Sequence, residues 1–569
     1  MMFVTAMGAF AKIIQQIQYF QLFSAFLTRK MSRRFRLLFL LMAAALWAQG
    51  QESHSLYMDQ EFNHFDRYVY QKQNRFHTSV KPYQTRQVNT TVNADSIYRI
   101  DVSRKLPDIL LNRSWFGYKQ DDFEFTIDPL MHFELGRDSD YDKMSWINTR
   151  GIMVNARLGK YVFVTSDFYE NQAKFYDYRR QVVKDTKAMP GQGSYKAFKE
   201  DGYDYAWVDA TVSFQPDEHF DITFGHGKNF IGDGYRSMIL SDASFNYPFL
   251  RITTDFWHIK YVNLWAQFQD LVNRYEYGHP HDKKWGSFNY LDWSVTSWLN
   301  VGFFESVIWA NADSLGHRGF DINYANPVIF TRPVEFSVGS PDNALMGLTG
   351  KLTLWNNHVL YGQFIIDEFK LENIKAGIKH QFNKSDSTIQ WGWWANKWAL
   401  QMGYKTYDLF GLEHLDIQAE MNVARPFMYS HVTHIQNYGH YRQPLAHPLG
   451  SNFKEFVLIG RYNYKRLFVE AKYIHAMHGR DVNGVNMGNN IFLDYTTHGD
   501  EYHNEIGQGE KVILQNTNLK AAFMINPRTN MNVYLGLNMR SEEVGGEKNK
   551  NRLITFGLRT SLQNIYYDF

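Results

Sequence analysis

Met531-Asn532-Val533-Tyr534-Leu535-Gly536-Leu537-Asn538-Met539 reads as a strand with two faces. Met531, Val533, Leu535, Leu537 and Met539 fall on one side and Asn532, Tyr534, Gly536 and Asn538 on the other, the two-residue period of an extended chain that is apolar on one surface and wet on the other. The pattern recurs outward from this stretch. Ile554, Phe556, Leu558 and Leu562 oppose Thr555, Gly557 and Arg559. Upstream, Trp398, Leu400, Met402 and Tyr404 alternate with Gln401, Gly403 and Lys405, and Leu415, Ile417, Ala419, Met421 and Val423 with Asp416, Gln418, Glu420 and Asn422. The first instance is Phe123, Phe125 and Ile127 against Glu124, Thr126 and Asp128.

A soluble sandwich would bury such a face as well as a bilayer does, so the connections decide. Counting back from residue 569, Ser541 to Asn551 reads as a longer polar loop, Asn526 to Asn530 as a tight turn and Ala476 to Glu510 as a very long loop. Lys465-Arg466 is then a two-residue turn, and Pro426 to Lys454 is long again. Alternating short and long connections mark outer-membrane barrels, whose periplasmic turns are minimal and whose external loops carry function. Aromatic residues are 17% of the chain, which suits girdles at two membrane interfaces. A mean hydropathy of −0.44 fits a wall in which only every second residue meets lipid. At roughly 25 residues per strand with its connection, residues 123–569 give about 18 antiparallel strands. The expected fold is all-β: a transmembrane antiparallel outer-membrane β-barrel over 123–569, preceded by a short, partly helical periplasmic segment.

The N-terminal region reads as export machinery. Arg33, Arg34 and Arg36 precede an apolar run from Leu37 to Trp47, too short to span, and Ala48 and Gly50 are small residues suited to cleavage before Gln51. Residues 31–50 are therefore expected as a signal peptide, with the start at Met31 and 1–30 as an upstream leader. In 51–122 no alternation is sustained; Tyr57, Met58, Phe62, Phe65 and Tyr68 mark a mildly amphipathic helix and Gln87 to Asn93 a polar run, so this part is expected as a partly helical periplasmic segment, or a tether, outside the barrel wall. At the other end, Tyr566-Tyr567-Asp568-Phe569 resembles the aromatic signal read by the outer-membrane assembly machinery, while a slip in phase between Leu562 and Ile565 implies a bulge or a tail.

One stretch interrupts the alternation. Phe224-Gly225-His226-Gly227-Lys228-Asn229-Phe230-Ile231-Gly232-Asp233-Gly234-Tyr235-Arg236-Ser237-Met238-Ile239-Leu240-Ser241-Asp242 is a bend, with glycines that permit close backbone approach. It matches neither a Walker loop nor a dinucleotide fingerprint. Gly225, Gly227, Gly232, Gly234, Ser237 and Ser241 form the structural motif. Lys228, Asp233 and Arg236 would carry charges of both signs into a confined space, with Glu305 and Asp367 as partners, in a ligand-binding or lumen-bracing role.

Gly227 to Ser237 with Leu240-Ser241 resembles, in outline, the glycine-rich, serine-ended region of the capsule-assembly Wzi family of outer-membrane barrels. Trp257-His258-Ile259-Lys260-Tyr261-Val262-Asn263-Leu264-Trp265, Phe303-Phe304-Glu305-Ser306-Val307-Ile308-Trp309 and Asn326-Pro327-Val328-Ile329-Phe330-Thr331-Arg332-Pro333-Val334-Glu335-Phe336 look like its branch linked to bacterial gliding motility, the RemB-like proteins. The likeness covers Phe123 to Phe569. It implies the same strand count, a helical plug at the periplasmic mouth, and a role with surface polysaccharide or gliding-associated surface proteins.

Other chemistries find little support. With no cysteine there is no disulfide, thiolate site or lipoprotein anchor, and a net charge of +2 gives no footprint for nucleic acid. His431, His434, His440 and His447, then His475, His478, His498 and His503, and His279 with His281 crowd the loops without ligand spacing, so neither metal nor cofactor is expected. Glu305, Glu335, Asp367 and Glu420 show no acid/base spacing, and Ser237 or Ser241 near His226 reads as turn chemistry. Trp391, Trp393, Trp394, Tyr429, Tyr438 and Tyr441 interleave with Asn437, Gln443 and Asn452 as sugar-stacking surfaces do, and as an aromatic girdle also does. The reading is a non-enzymatic outer-membrane protein that anchors or assembles surface polysaccharide. A diffusion channel for small solutes is the alternative, because the wet face is rich in charge; an outer-membrane hydrolase lacks a catalytic set.

Overall fold

The alternating wall closes on itself in the computed structural model, which describes residues 55–569 apart from 59, 62, 64, 94–96, 103, 139–143, 272–280, 314–315, 328–331, 340–341, 369, 384–385 and 387. The leader, the signal at 31–50, its cleavage point, Phe62 and His279 lie outside the described residues. Eighteen antiparallel strands form the barrel. In chain order they are β1 Phe123–Asp138, β2 Ser145–Leu158, β3 Val162–Lys174, β4 Gly202–Phe214, β5 Phe220–Gly227, β6 Tyr247–Phe256, β7 Ile259–Asp270, β8 Asp282–Thr296 and β9 Leu299–Ala310. They continue as β10 Asn343–Leu354, β11 His358–Ile366, β12 Trp398–Thr406, β13 Leu415–Ala424, β14 Phe453–Tyr464, β15 Leu467–Arg480, β16 Glu510–Asn526, β17 Met531–Val544 and β18 Glu547–Arg559. Closure pairs β18 with β1 from Leu553↔Asp138 to Arg559↔His132, and a further short strand, Phe116–Gln120, completes the same edge of β1 against Phe123 to Ile127. Closing the sheet satisfies the edge hydrogen bonds that a bilayer could not.

The outer face is the lipid belt. Leu535 lies beside Phe556, and Phe556 beside Leu135, so that three adjacent strands present a row of apolar side chains 57%, 59% and 54% exposed. The intervening Asn532 and Tyr534 are buried on the inner side. Leu535→Arg is therefore expected to cost about 2–4 kcal/mol in a denaturant titration of the folded barrel in lipid vesicles, as a cation near the bilayer midplane does. Gly536 is a poor inward-facing control, because a Cβ there would lie 2.6 Å from Thr555 Oγ1. Asn518→Arg is better: Asn518 lines an internal cavity of about 210 Å³, and the variant should escape the lipid penalty.

Connections at one end are short, among them 257–258, 297–298 and the two-residue turn Lys465-Arg466 between the paired Tyr464 and Leu467; those at the other include 425–452 and 481–509. Ser541 to Asn551 departs from the expected longer loop. β17 and β18 continue through it to the pair Val544↔Glu547, joined by Gly545-Gly546 with φ of 58° and 87°. Beyond the lipid both faces of a strand are wet, so no apolar period marks these residues.

Much of the interior is packed. Residues 228–246 leave the wall after β5 and fold inward, and with part of 425–452 they build an apolar core: Met238, Ile239, Leu240, Tyr429, Tyr438 and Leu445 are buried against Phe249, Phe288 and Phe304 of the wall. The inward stretch and the tail also explain strands apolar on both sides, such as β14, where Val457 and Ile459 are buried in a cluster with Tyr235 and Tyr566 while Phe456 and Leu458 are exposed. The N-terminal segment is seated by side chains that reach the wall, such as Tyr57, whose hydroxyl donates to Asp167 at 2.6 Å. Among its described residues are the short helices Asp66–Val69, Thr85–Asn89 and Lys105–Asn112, and the described residues between Tyr57 and Phe65 are not helical, unlike the single helix expected across Tyr57 to Tyr68. The end of the chain is a tail. After Arg559 it turns at Ser561, whose N–H donates to Thr529 O at 2.8 Å, and runs inside the wall until Tyr566 Oη donates to Asp242 at 2.8 Å. Phe569 therefore does not end the closing strand.

Candidate functional site

The glycine-rich stretch is threaded between the N-terminal segment and the wall. Phe230 and Ile231 pair with Lys81 and Val80, and Gly232 donates its N–H to Ser79 O at 2.7 Å. Gly232 has φ of 150°, and a Cβ there would lie 2.5 Å from Gln363 Nε2. At Gly234 a Cβ would meet Glu420 Oε2 at 2.5 Å and Arg236 O at 2.6 Å, so glycine is needed for close approach rather than for a special φ. Gly225 and Gly227 stay in β5, packed on Ala210 O and the Asp209 carboxylate. Ser237 Oγ donates to Ile231 O at 2.6 Å, and Ser241 is tied to the loop 425–452 through its N–H to Leu445 O at 2.7 Å.

Arg236 is the centre of the charge network. Its Nη2 donates to Glu455 Oε1 at 3.1 Å and to Asp568 Oδ1 at 2.9 Å, while the backbone N–H groups of Tyr235 and Arg236 donate to Glu420 at 2.7 and 3.1 Å. Lys472 of β15 bonds Asp568 at 2.8 Å, and His447 bonds Glu455 at 2.7 Å. One guanidinium thus joins the inward stretch, the wall and the tail. Burial alone would weaken its hold on a proton, but Asp568 and Glu455 raise its pKa well above the ordinary arginine value. Burial would likewise raise the Asp568 carboxyl, yet Arg236 and Lys472 hold it well below the usual carboxylate range. Both stay charged, as a desolvated pair must to repay its burial.

The other expected residues are distributed around this centre. Asp233 accepts from Tyr70 Oη at 2.7 Å and from Thr78 Oγ1, anchoring the stretch to the N-terminal segment. Lys228 Nζ donates to Asp242 O at 2.9 Å, and burial pushes its ammonium down to about 8 against the pull of Asp242 and Asp209. Glu305 is buried on β9 opposite Asn289 and Met346, and Asp367 pairs with Lys397 at 3.0 Å; neither is a carboxylate that Arg236 meets. The residues that sequence reasoning missed in this role are Glu455, Asp568, Lys472 and His447. Glu455 precedes the outward-facing Phe456, so alternation alone could have placed it inward.

The aromatic set divides. Tyr429 and Tyr438 are fully buried and stacked at 5.7 Å, donating to Met238 O and Ile239 O at 2.7 Å each, and Asn437, Gln443 and Asn452 are buried too. These five brace the interior and offer no sugar-stacking surface. Trp391, Trp393 and Trp394 remain partly exposed among the long loops, where Trp394 packs on His498 at 4.4 Å and on Tyr495 at 4.8 Å. His431, His440 and His447 are buried, and burial pushes His440 down to about 3. Among the described residues no three His, Cys, Asp or Glu side chains converge as metal ligands.

No protein-family model matches the chain, and no curated protein matches it in sequence. Solved structures do resemble it. Wzi, an outer membrane protein involved in group 1 capsule assembly in Escherichia coli and described as a carbohydrate-binding β-barrel, is 13% identical, with a TM-score of 0.51 over 89% of this chain and 100% of its own. OprD of Pseudomonas aeruginosa is 11% identical at a TM-score of 0.40, covering 76% of this chain and 94% of its own. OccAB2 of Acinetobacter baumannii is 9% identical at 0.39, covering 77% and 98%. At such identity the likeness to Wzi is one of fold. With the closed wall and its apolar belt, it identifies the chain as an eighteen-stranded outer-membrane β-barrel.

Proposed function

We propose that this barrel is a non-enzymatic holder of surface polysaccharide, with its long-loop end facing outward and residues 51–122 as a plug at the periplasmic mouth. The observation that carries the reading is the inward stretch pinned by Arg236 across the lumen, which favours a braced platform over a passage. Lys228 and Asp233 serve the same bracing. Glu305 and Asp367 stiffen the wall around it. The fold-level analogy with a carbohydrate-binding barrel supports the ligand class. Trp391, Trp393 and Trp394 supply the rings on which sugar faces stack, beside the polar groups of the 481–509 loop. The RemB-like segments extend the proposal to gliding-associated surface proteins as partners in the same apparatus, and the assembly machinery inserts the barrel.

The test uses surface polysaccharide extracted from the producing cells, fluorescently labelled and titrated against the purified barrel in detergent. Saturable binding, weakened about tenfold by Trp391→Ala with Trp394→Ala, is expected from the loss of ring stacking. Failure of the unmodified protein to bind would reject the reading.

A further inference from the structure

The loop between β11 and β12 carries the helix Leu371–Phe382, none of whose residues is buried. At about 100° per residue, Leu371, Ile374, Ile378 and Phe382 form one stripe, and Asn373, Ala376, Gly377 and His380 the opposite one. Protein meets the second stripe at His380, which stacks on Trp391 with centroids 4.3 Å apart, and Trp391 is held to the 481–509 loop through the His503 N–H at 2.8 Å. The apolar stripe points away from it, with Leu371 63%, Ile378 53% and Phe382 89% exposed. Lys375 and Lys379 are exposed along its flank and Lys370 precedes it, against one acidic residue of the helix, Glu372. The strands on either side carry the lipid belt up to this loop, with Leu360, Phe364 and Met402 exposed and Phe364 6.5 Å from Trp398 at the rim.

We propose that this helix lies in the membrane surface beside the barrel, its apolar stripe continuing the lipid-facing wall and its lysines binding phosphate-bearing anionic headgroups. An apolar stripe flanked by cations is the composition of helices that rest in a bilayer interface. A second copy of the chain is a poorer occupant, because two lysine flanks would repel. The inference is independent of any polysaccharide role.

The chain has no cysteine, so single replacements report cleanly. Full-length Ile378→Cys, Phe382→Cys and Glu372→Cys are labelled with an environment-sensitive fluorophore and reconstituted in phosphatidylcholine vesicles with and without phosphatidylglycerol. Heat-modifiable gel mobility confirms that each is an assembled barrel. Labels at 378 and 382 should be quenched by acyl-chain quenchers and shielded from aqueous iodide, with the reverse at 372. Phosphatidylglycerol should deepen the lipid quenching at 378, and Lys375→Gln with Lys379→Gln should remove that increment. Equal iodide quenching at 378 and 372 in both lipids overturns the proposal. So does shielding from both quenchers, which would place a second copy or other protein over the stripe. Lipid quenching indifferent to phosphatidylglycerol and to the lysines overturns the headgroup contact.

Discussion

Arg236→Met is expected to cost about 3–5 kcal/mol of barrel stability, the usual penalty for removing one partner of a buried ionic cluster. The substitution preserves much of the apolar stem but leaves Glu455 and Asp568 without the guanidinium, both in buried positions. His447 and Lys472 still reach one carboxylate each, so the loss should sit within that range rather than beyond it. Arg236→Lys keeps the charge but replaces the Nε and Nη2 donors that reach Glu455 and Asp568 with a single ammonium, and should lose less. Urea midpoints of the vesicle-assembled variants measure both. The pH dependence has a definite sign: the folded-state pKa of Asp568 is depressed, so its contribution is present above the ordinary carboxylate range and is lost as pH falls toward the folded value. The gap between the unmodified protein and Arg236→Met should therefore narrow in acid. A loss below about 1 kcal/mol at neutral pH would show that the network adds little beyond the packing around it.

Combining Gly232→Val with Gly234→Val should be comparably damaging, about 2–6 kcal/mol for the two together, because two different constraints are violated. At position 232 a β-branched residue meets an unfavourable φ, and at 234 it would overlap the Glu420 carboxylate and the Arg236 carbonyl. Gly350→Val is the control, since a Cβ there has nothing within 4 Å. If the double variant assembles and resists urea as well as Gly350→Val does, the inward stretch is not the fixed element its hydrogen bonds suggest.

The wall was legible because lipid imposes an uninterrupted apolar row: Leu535, Phe556 and Met402 all face outward as alternation predicts. The turn at Lys465-Arg466 and the long connection 425–452 follow for the same reason, each bounded by clear strand ends. What alternation could not reveal is which inward residues meet across the lumen. Arg236 finds Glu455 and Asp568 far along the chain, on another strand and on the tail, and no local spacing records that. Tyr429 and Tyr438 were ambiguous because rings and amides in a loop suit a sugar surface and an interior brace alike; the adjacent apolar Phe427, Met428, Leu445 and Ala446 were the signal that this loop turns inward. The N-terminal segment misled for a related reason. Tyr57 and Phe65, two of its residues at near-helical spacing, pack into two separate clusters with wall residues, so tertiary contacts override the short helical pattern.

Planar-bilayer recording of the unmodified protein tests the central claim, that the barrel is a braced platform rather than a passage. The account predicts no stable conductance steps from assembled, heat-modifiable protein, because the inward stretch, the loop 425–452 and the N-terminal segment share the lumen. Large, persistent ion currents would contradict it and favour the diffusion channel instead.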